Sequence, residues 1–277
     1  MTLVALAELG RGLVPVDAPL VHADDEGLLR GRAVFETMRV YGGRPFKLGE
    51  HLDRLTASAA RLHLEPPPHD AFAAAAGEAV SAGGEPDAVL RFLWSAGREG
   101  ARSPVGLVLV STLPPDLEAR RARGLRLVVT EWSAGALAGA KSTSYAENVI
   151  AQEDAARAGA DDAVFVAPDG TVLEAPTANV WFREGRTLHT PALSLPLLAG
   201  VTRATLCELA PSLGYAVEEG RYALERLLRA DEVFLSSSVR EVMPVTAVGE
   251  TTLAAGPAAA ALQSALRDAA AGYPGAA

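Results

Sequence analysis

Cysteine is nearly absent from this chain. Cys207 stands alone, which excludes an internal disulfide and leaves no thiolate cluster for zinc or iron–sulfur. Long apolar runs are missing too: none reaches the roughly 18 residues that span a bilayer. The short apolar stretch within residues 1–10 holds Glu8 and has no basic residue before it, so secretion and membrane insertion are disfavoured and a cytoplasmic location is expected. Positive charge is in deficit, with 25 Lys plus Arg against 34 Asp plus Glu and a net charge of -9, a balance that argues against a nucleic-acid partner. The five histidines, His22, His51, His63, His69 and His189, share no ligand-like spacing, so no metal site is expected. A Walker loop, a His-Glu-x-x-His pair, a nucleophile elbow and a dinucleotide glycine fingerprint are all lacking. Lysine occurs only at Lys47 and Lys141, and chemistry that needs a side-chain amine therefore has two candidates.

What is present suits a folded protein of one large or two smaller domains. The chain has 277 residues, 49% of them hydrophobic and 21% charged. Residues 33–41 are rich in β-branched and aromatic side chains and run into Gly42-Gly43, which reads as strand, turn and strand. Leu48, Leu52, Leu55, Ala59 and Leu62 then form one apolar helical stripe ending before Pro66-Pro67-Pro68. A helix over 70–82 and strands over 88–95 and 105–112 complete a small α+β domain, residues 1–113. Pro114-Pro115 and the charged stretch after them read as an interdomain linker, 114–124.

The larger domain, 125–277, opens with a strand over 125–131 and a helix over 145–158. Short strands follow near 163–166, 171–174 and 180–182, then a helix after Gly200, strands over 232–236 and 244–248, and an alanine-rich closing helix over 258–271. The fold class is thus mixed, α+β with α/β character.

Four segments carry candidate chemistry: HLDRL at 51–55, KSTSYAEN at 141–148, LEAPTANVWF at 173–182 and LLAGVTR at 197–203. A lysine, a tyrosine four residues on, a carboxylate on a later strand and a glycine opening a helix with Val-Thr suit one cofactor, pyridoxal 5′-phosphate. That cofactor needs an amine for a Schiff base, a carboxylate for its pyridine nitrogen and a cradle for its phosphate.

With DDEGLLRGRAVFETMRVYGGRPFKLGEHLDRL before these segments and DEVFLSSSVREVMPV after them, the chain resembles the class IV (fold type IV) pyridoxal-phosphate enzymes. That group holds branched-chain aminotransferases, D-amino acid transaminases, (R)-selective amine transaminases and aminodeoxychorismate lyase. The resemblance implies a two-domain fold whose larger domain has a β-barrel-like core with flanking helices, and a homodimer with active sites at the subunit interface. It makes Lys141 the Schiff-base lysine and proton-moving base, Glu174 the partner of the pyridinium nitrogen, and Tyr145 the tyrosine that hydrogen-bonds the cofactor's phenolic oxygen. It gives the phosphate to Arg54, Gly200, Val201, Thr202 and Ser238, with Asn179, Leu198 and Ser237 also cofactor-binding.

For the substrate the resemblance points to Arg30, Phe35, Thr37 and Arg91. Arg30 and Arg91 suggest carboxylate recognition, and lead to a transaminase moving an amino group between a D-amino acid and a 2-oxo acid, with some activity on (R)-primary amines. Phe92-Leu93 follow Arg91 where better-known D-amino acid transaminases have an Arg-x-His pair. The alternative is 4-amino-4-deoxychorismate lyase, whose relatives carry a threonine where Thr37 stands; a branched-chain L-amino acid aminotransferase is third.

Overall fold

The computed structural model describes residues 1–101 and 103–273. Two compact units divide the chain. The first comprises Met1–Pro115, Ala140–Ser144 and the chain from Ala270 on; the second comprises Asp116–Gly139 and Tyr145–Ala269.

The first unit contains β1 (Leu3–Glu8), β2 (Gly12–Val14), α1 (Glu26–Arg30), β3 (Ala33–Tyr41), β4 (Arg44–Pro45), α2 (Leu48–Arg61), α3 (His69–Gly83), β5 (Ala88–Ser95) and β6 (Val105–Thr112). Its six strands form one sheet in the order β2-β1-β6-β5-β3-β4. Every pairing is antiparallel. Gly42 and Gly43 both adopt positive φ, which matches the right-handed twist of the β3–β4 hairpin. Side chains alternate across β3: Val34, Glu36, Met38 and Val40 are fully buried, whereas Phe35 and Thr37 on the other face are half-buried. The predicted stripe of α2 is observed, with Leu48, Leu52, Leu55 and Ala59 buried. Helix α3 buries Phe72, whose ring centroid lies 4.8 Å from that of Phe92 on β5. Each such aromatic or leucine contributes about 2–3 kcal/mol of apolar burial.

The second unit contains α4 (Leu117–Arg123), β7 (Leu125–Glu131), α5 (Ala146–Arg157), β8 (Asp162–Val166), β9 (Glu174–Ala175), β10 (Ala178–Glu184), β11 (Thr187–Pro191), α6 (Val201–Leu209), β12 (Ala216–Gly220), α7 (Leu224–Leu227), β13 (Glu232–Ser237), β14 (Glu241–Val248), β15 (Thr251–Thr252) and α8 (Pro257–Ala271). Its sheet runs β12-β11-β10-β13-β14-β7-β8, with β9 added to β10 and β15 to β14. Strands β7, β8 and β12 pair in parallel and the others antiparallel. The sheet curls: Val172 bridges Val166 of the edge strand β8, while the neighbouring Thr171 bridges Ala223, just beyond β12. This is the mixed, curled-sheet architecture expected for the larger domain. Trp181, Phe182, Phe165 and Phe234 fill its interior.

Two local differences from the sequence reading have physical causes. The stretch read as linker holds helix α4, anchored by the single buried residue Leu117 and closed by Arg120, Arg121 and Arg123 in its last turn. One apolar anchor leaves no periodicity, yet cations at a helix C-terminus favour the helix dipole. The strand expected over 171–174 is instead a pair of isolated bridges followed by the two-residue β9. Among the described residues no helix is long and apolar enough to cross a membrane.

Candidate active site

In the first unit, Lys141 lies on a short extended segment laid against the start of β3. Its carbonyl accepts from Phe35 N–H at 2.9 Å, and Thr143 N–H donates to Ala33 O at 2.9 Å. Its own N–H donates to the hydroxyl of Ser58, a buried residue of α2, at 3.0 Å. The side chain folds over the half-buried face of β3, with Nζ 4.3 Å from the centre of the Phe35 ring. Thr37 is two residues along and shares that face, and Arg91 of β5 sits directly opposite Thr37 in the register. The half-buried Arg91 guanidinium has the Met1 thioether at 3.4 Å as a neighbour. Burial pushes its pKa down from the usual arginine value, and no carboxylate pairs with it among the described residues. Arg30, at the end of α1, is exposed and pairs with Glu99. No hydrogen bond or ion pair joins Arg30 to Arg91 among the described residues.

On the opposite face of β3, Glu36 is fully buried and grips Arg54 of α2 in a fork, Nε to Oε1 and Nη2 to Oε2 both at 2.7 Å. His51, one turn earlier on α2, places Nδ1 2.7 Å from Glu36 Oε2. Burial alone would raise the Glu36 carboxyl; Arg54 and His51 overcome it and hold the pKa at about 2. Burial lowers the His51 pKa, aided by the charges of Arg54 and Lys141 and opposed by Glu36. The neutral ring donates Nδ1–H, because an ionised carboxylate only accepts. Arg54 was expected at the phosphate from sequence; Glu36 and His51, which fix the plane of its guanidinium, carried no assigned role.

In the second unit, Glu174 and Asn179 face each other across the β9–β10 pair. Both engage one residue: Leu198 N–H donates to Glu174 Oε2 at 3.1 Å, and Asn179 Nδ2 donates to Leu198 O at 2.9 Å. Two residues later Gly200 caps α6 in an extended conformation with no side-chain hydrogen bond to the first turn. A Cβ on Gly200 would overlap Asn179 Oδ1, so any larger residue there must displace the asparagine or the backbone. The first N–H groups of a helix have no partner within it, and those of Val201 and Thr202 add their charge to the positive helix end, a ready anion site. Ser237, the last residue of β13, and Ser238, the first of the turn to β14, are both half-buried.

Tyr145 is the N-cap residue of α5, and its hydroxyl donates to Pro176 O at 2.8 Å. Asn148 Nδ2 donates to the same carbonyl at 2.7 Å. Burial pushes the Tyr145 phenol well up, with the charge of Glu174 adding to the effect. Glu174, Asn179, Leu198, Gly200, Val201, Thr202 and Tyr145 are thus parts of one connected arrangement in the second unit.

A donor set of this kind fits a phosphorylated pyridine: an uncapped helix start behind a glycine for the phosphate, and a positioned carboxylate for the ring nitrogen. In the first unit, Lys141 carries the amine that such a cofactor's aldehyde needs.

The family model described as amino-transferase class IV matches residues 33–248. The chain is similar to the bifunctional aminodeoxychorismate lyase / D-amino acid transaminase of Mycobacterium tuberculosis (strain ATCC 25618 / H37Rv), 33% identical over 240 residues that cover 80% of this chain and 83% of that protein. Among solved structures it is similar to a fold IV-transaminase from Curtobacterium pusillum, with a TM-score of 0.90, 33% identity and coverage of 98% and 99% of the two chains. It is also similar to a hypothetical aminotransferase from Mycobacterium tuberculosis in its PLP-bound form, with a TM-score of 0.91, 31% identity and coverage of 96% and 98%.

Proposed function

We propose a reaction within the family to which the chain belongs, the class IV aminotransferases: it moves the amino group of a D-amino acid, which leaves as its 2-oxo acid, onto a second 2-oxo acid. Pyridoxal 5′-phosphate, when bound, supplies the electron sink that lets the bond to the amino acid's α-hydrogen break. Lys141 holds that cofactor through Nζ and moves the proton at the substrate Cα. Glu174, fixed by Leu198 N–H, keeps the proton on the ring nitrogen. Val201 and Thr202 N–H and the Thr202 hydroxyl bind the phosphate at the start of α6, with Arg54, Ser237 and Ser238 as further donors and Gly200 admitting Asn179. Leu198 packs against the ring and Tyr145 orients its phenolic oxygen.

The observation that carries the substrate reading is Arg91. A half-buried guanidinium with no carboxylate beside it among the described residues, on the face of β3 and β5 that also bears Phe35 and the Lys141 amine, suits the carboxylate of an incoming amino acid. The D-configuration is supported by the activity in the name of the bifunctional relative. (R)-Primary amines fit as weaker substrates, because they lack the carboxylate.

Thr37 favours a second reading. Its hydroxyl shares a strand face with Phe35, two residues from the ring over which Nζ sits, and the resemblance gives lyases a threonine there that helps move protons. The same relative carries aminodeoxychorismate lyase in its name. A homodimer completes the proposal, with Arg30 reaching the neighbouring subunit's site; the exposed Leu28 and Leu29 of α1, 65% and 56% accessible, offer apolar surface for it. A reducing cytoplasm suits the lone, half-buried Cys207.

The test is a half-reaction. The cofactor-loaded enzyme is mixed separately with D-glutamate, D-alanine, L-leucine and L-glutamate, and loss of its visible absorbance band is followed. Loss with D-amino acids alone supports the proposal; loss with L-leucine or L-glutamate transfers the protein to the branched-chain group. Silence with all four, together with pyruvate release from 4-amino-4-deoxychorismate, establishes the lyase reading instead.

A further inference from the structure

We propose that Arg240 is a positioning residue for the Tyr145 hydroxyl, acting through the bend at Pro176 and Thr177. Arg240 ends the turn between β13 and β14. Its Nη1 donates to Asp162 Oδ2 at 2.6 Å, and its Nη2 donates to the Thr177 hydroxyl. Asp162 is fully buried at the start of β8, where it also accepts from Gln152 Nε2 at 3.3 Å and from Ala163 N–H at 2.9 Å. The guanidinium therefore staples the exposed Thr177 to a fixed, buried carboxylate. One residue before Thr177 is the Pro176 carbonyl that receives both Tyr145 and Asn148. Pro176 and Thr177 form the two-residue turn closed by the β9–β10 pairing; proline offers no N–H of its own to anchor it, so the Thr177 tie is the side-chain contact that holds this turn against β8.

The other end of the staple is held with unusual effort. Glu241, next in the chain, has φ of +58°, a left-handed conformation that costs a non-glycine residue about 1–2 kcal/mol. Its buried carboxylate accepts from Arg121 Nη2 at 3.0 Å, Gln263 Nε2 at 2.6 Å and Arg267 Nη2 at 2.8 Å. Arg121 also donates to the carbonyls on either side, Arg240 O at 2.9 Å and Val242 O at 3.2 Å. Val242 N–H returns to Gln263 Oε1 at 2.9 Å. These contacts fix the backbone from which the Arg240 side chain leaves. Arg240 is also the cation whose field opposes the upward push on the Tyr145 phenol from burial, Glu174 and Asp162.

The inference rests on Tyr145 contacting the cofactor. Thr177→Val removes one acceptor from an exposed position and leaves the Arg240–Asp162 pair intact. It is expected to raise the dissociation constant of pyridoxal 5′-phosphate from the full-length apoenzyme about three- to tenfold, because the Tyr145 hydroxyl is held less firmly, while loss of the bond from an exposed residue lowers the apoenzyme's melting temperature by no more than about 4 °C. Arg240→Lys, which keeps the charge on Asp162 but loses the fork, is expected to do the same, and Thr177→Ser to restore binding to within about twofold.

Tyr145→Phe is the reference variant. In its background Thr177→Val is expected to change the constant by less than about twofold, because the tie acts through the hydroxyl already removed. A wild-type constant in Thr177→Val, or an undiminished Thr177→Val effect in the Tyr145→Phe background, overturns the positioning role alone. A wild-type constant and unaltered bound-cofactor absorbance in Tyr145→Phe overturn the cofactor role of Tyr145, and this inference falls with it.

Discussion

Lys141 and Phe35 are joined twice: Phe35 N–H donates to the Lys141 carbonyl at 2.9 Å, and the Lys141 Nζ stands 4.3 Å from the centre of the Phe35 ring. The first contact fixes the backbone of a residue in a connecting segment as firmly as a strand residue; the second gives its long side chain a preferred direction. A cation over an aromatic face is worth about 0.5–1 kcal/mol where water still reaches it. The two contacts together reduce the freedom of an amine that has four rotatable bonds.

Lys47, the other lysine, begins α2 and lies 3.5 Å from Glu50. Borohydride reduction of the holoenzyme followed by peptide mapping is therefore expected to label Lys141 and not Lys47. Lys141→Ala should purify without the visible cofactor band and Lys47→Ala should keep it. Labelled Lys47, or an intact band in Lys141→Ala, contradicts the assignment. Phe35→Leu preserves the backbone bond and loses the ring, and a rate reduction of about two- to fivefold is expected from the energy above.

Acid should unfold the first unit through Glu36. Its carboxyl is held at about 2 against an ordinary value of 4.5, so its ionised form stabilises the fold fully above about pH 4.5, and this is lost as pH falls toward 2. The difference corresponds to about 3 kcal/mol. His51 adds an earlier step of the same sign: its lowered pKa means the unfolded chain binds a proton first, so stability begins to fall below the ordinary histidine value of 6.5. Melting temperature against pH, wild type beside Glu36→Gln, isolates the larger effect. The variant should be less stable at pH 7 by about 3–5 kcal/mol, because Arg54 loses its buried partner, and the gap should narrow below pH 4.5. A gap that stays constant from pH 7 to pH 3 would refute this.

Much of this architecture was legible because local signals and tertiary packing agree. The α2 stripe repeats at helical spacing and is the face the helix buries; the Gly42-Gly43 pair marks the hairpin it forms. Elements that packing alone supports were not legible. Strand β12 reads AVEEG and lies at the sheet edge with largely open side chains, so no alternation announced it. Helix α1 exposes both its leucines. At the candidate site, Lys141, Glu174, Tyr145 and Gly200 were singled out from the sequence because each is a rare residue type for its setting or belongs to a recognisable segment. Arg240 and Asp162 are 78 positions apart and meet only because β7 lies between β14 and β8 in the sheet. Glu36 did carry a signal: it is the acid among the inward, otherwise apolar positions of β3, which asks for a buried cation.

Gly200→Ala tests the phosphate end of the site. The added methyl would overlap Asn179 Oδ1, and the backbone or the asparagine must shift. Overpacking of this kind costs about 1–3 kcal/mol, and the shift disturbs the carbonyl of Leu198 that Asn179 holds. A fall in apoenzyme melting temperature and a loss of cofactor affinity are expected together. Asn179→Ala in the Gly200→Ala background removes the obstruction and should recover most of the melting temperature without recovering full affinity. If Gly200→Ala binds pyridoxal 5′-phosphate as the wild type does, the start of α6 is not the phosphate site.

Arg91 offers the sharpest test of substrate class, because its guanidinium is half-buried on the face of the sheet that bears Phe35 and Lys141, without a carboxylate beside it among the described residues. A bidentate pair with a substrate carboxylate in such a place contributes about 1.5–3 kcal/mol, which corresponds to roughly 10- to 150-fold in affinity. Arg91→Gln should therefore raise KM for the amino acid donor and for the 2-oxo acid acceptor by about that factor, with kcat for the half-reaction much less affected, since the interaction is made alike in the bound and reacting states. Arg91→Lys should recover little, because a point charge cannot fork. A primary amine without a carboxylate provides the internal control: its half-reaction should be indifferent to Arg91→Gln. An equal loss for amine and amino acid would mean that Arg91 supports the sheet and leaves substrate recognition to other residues.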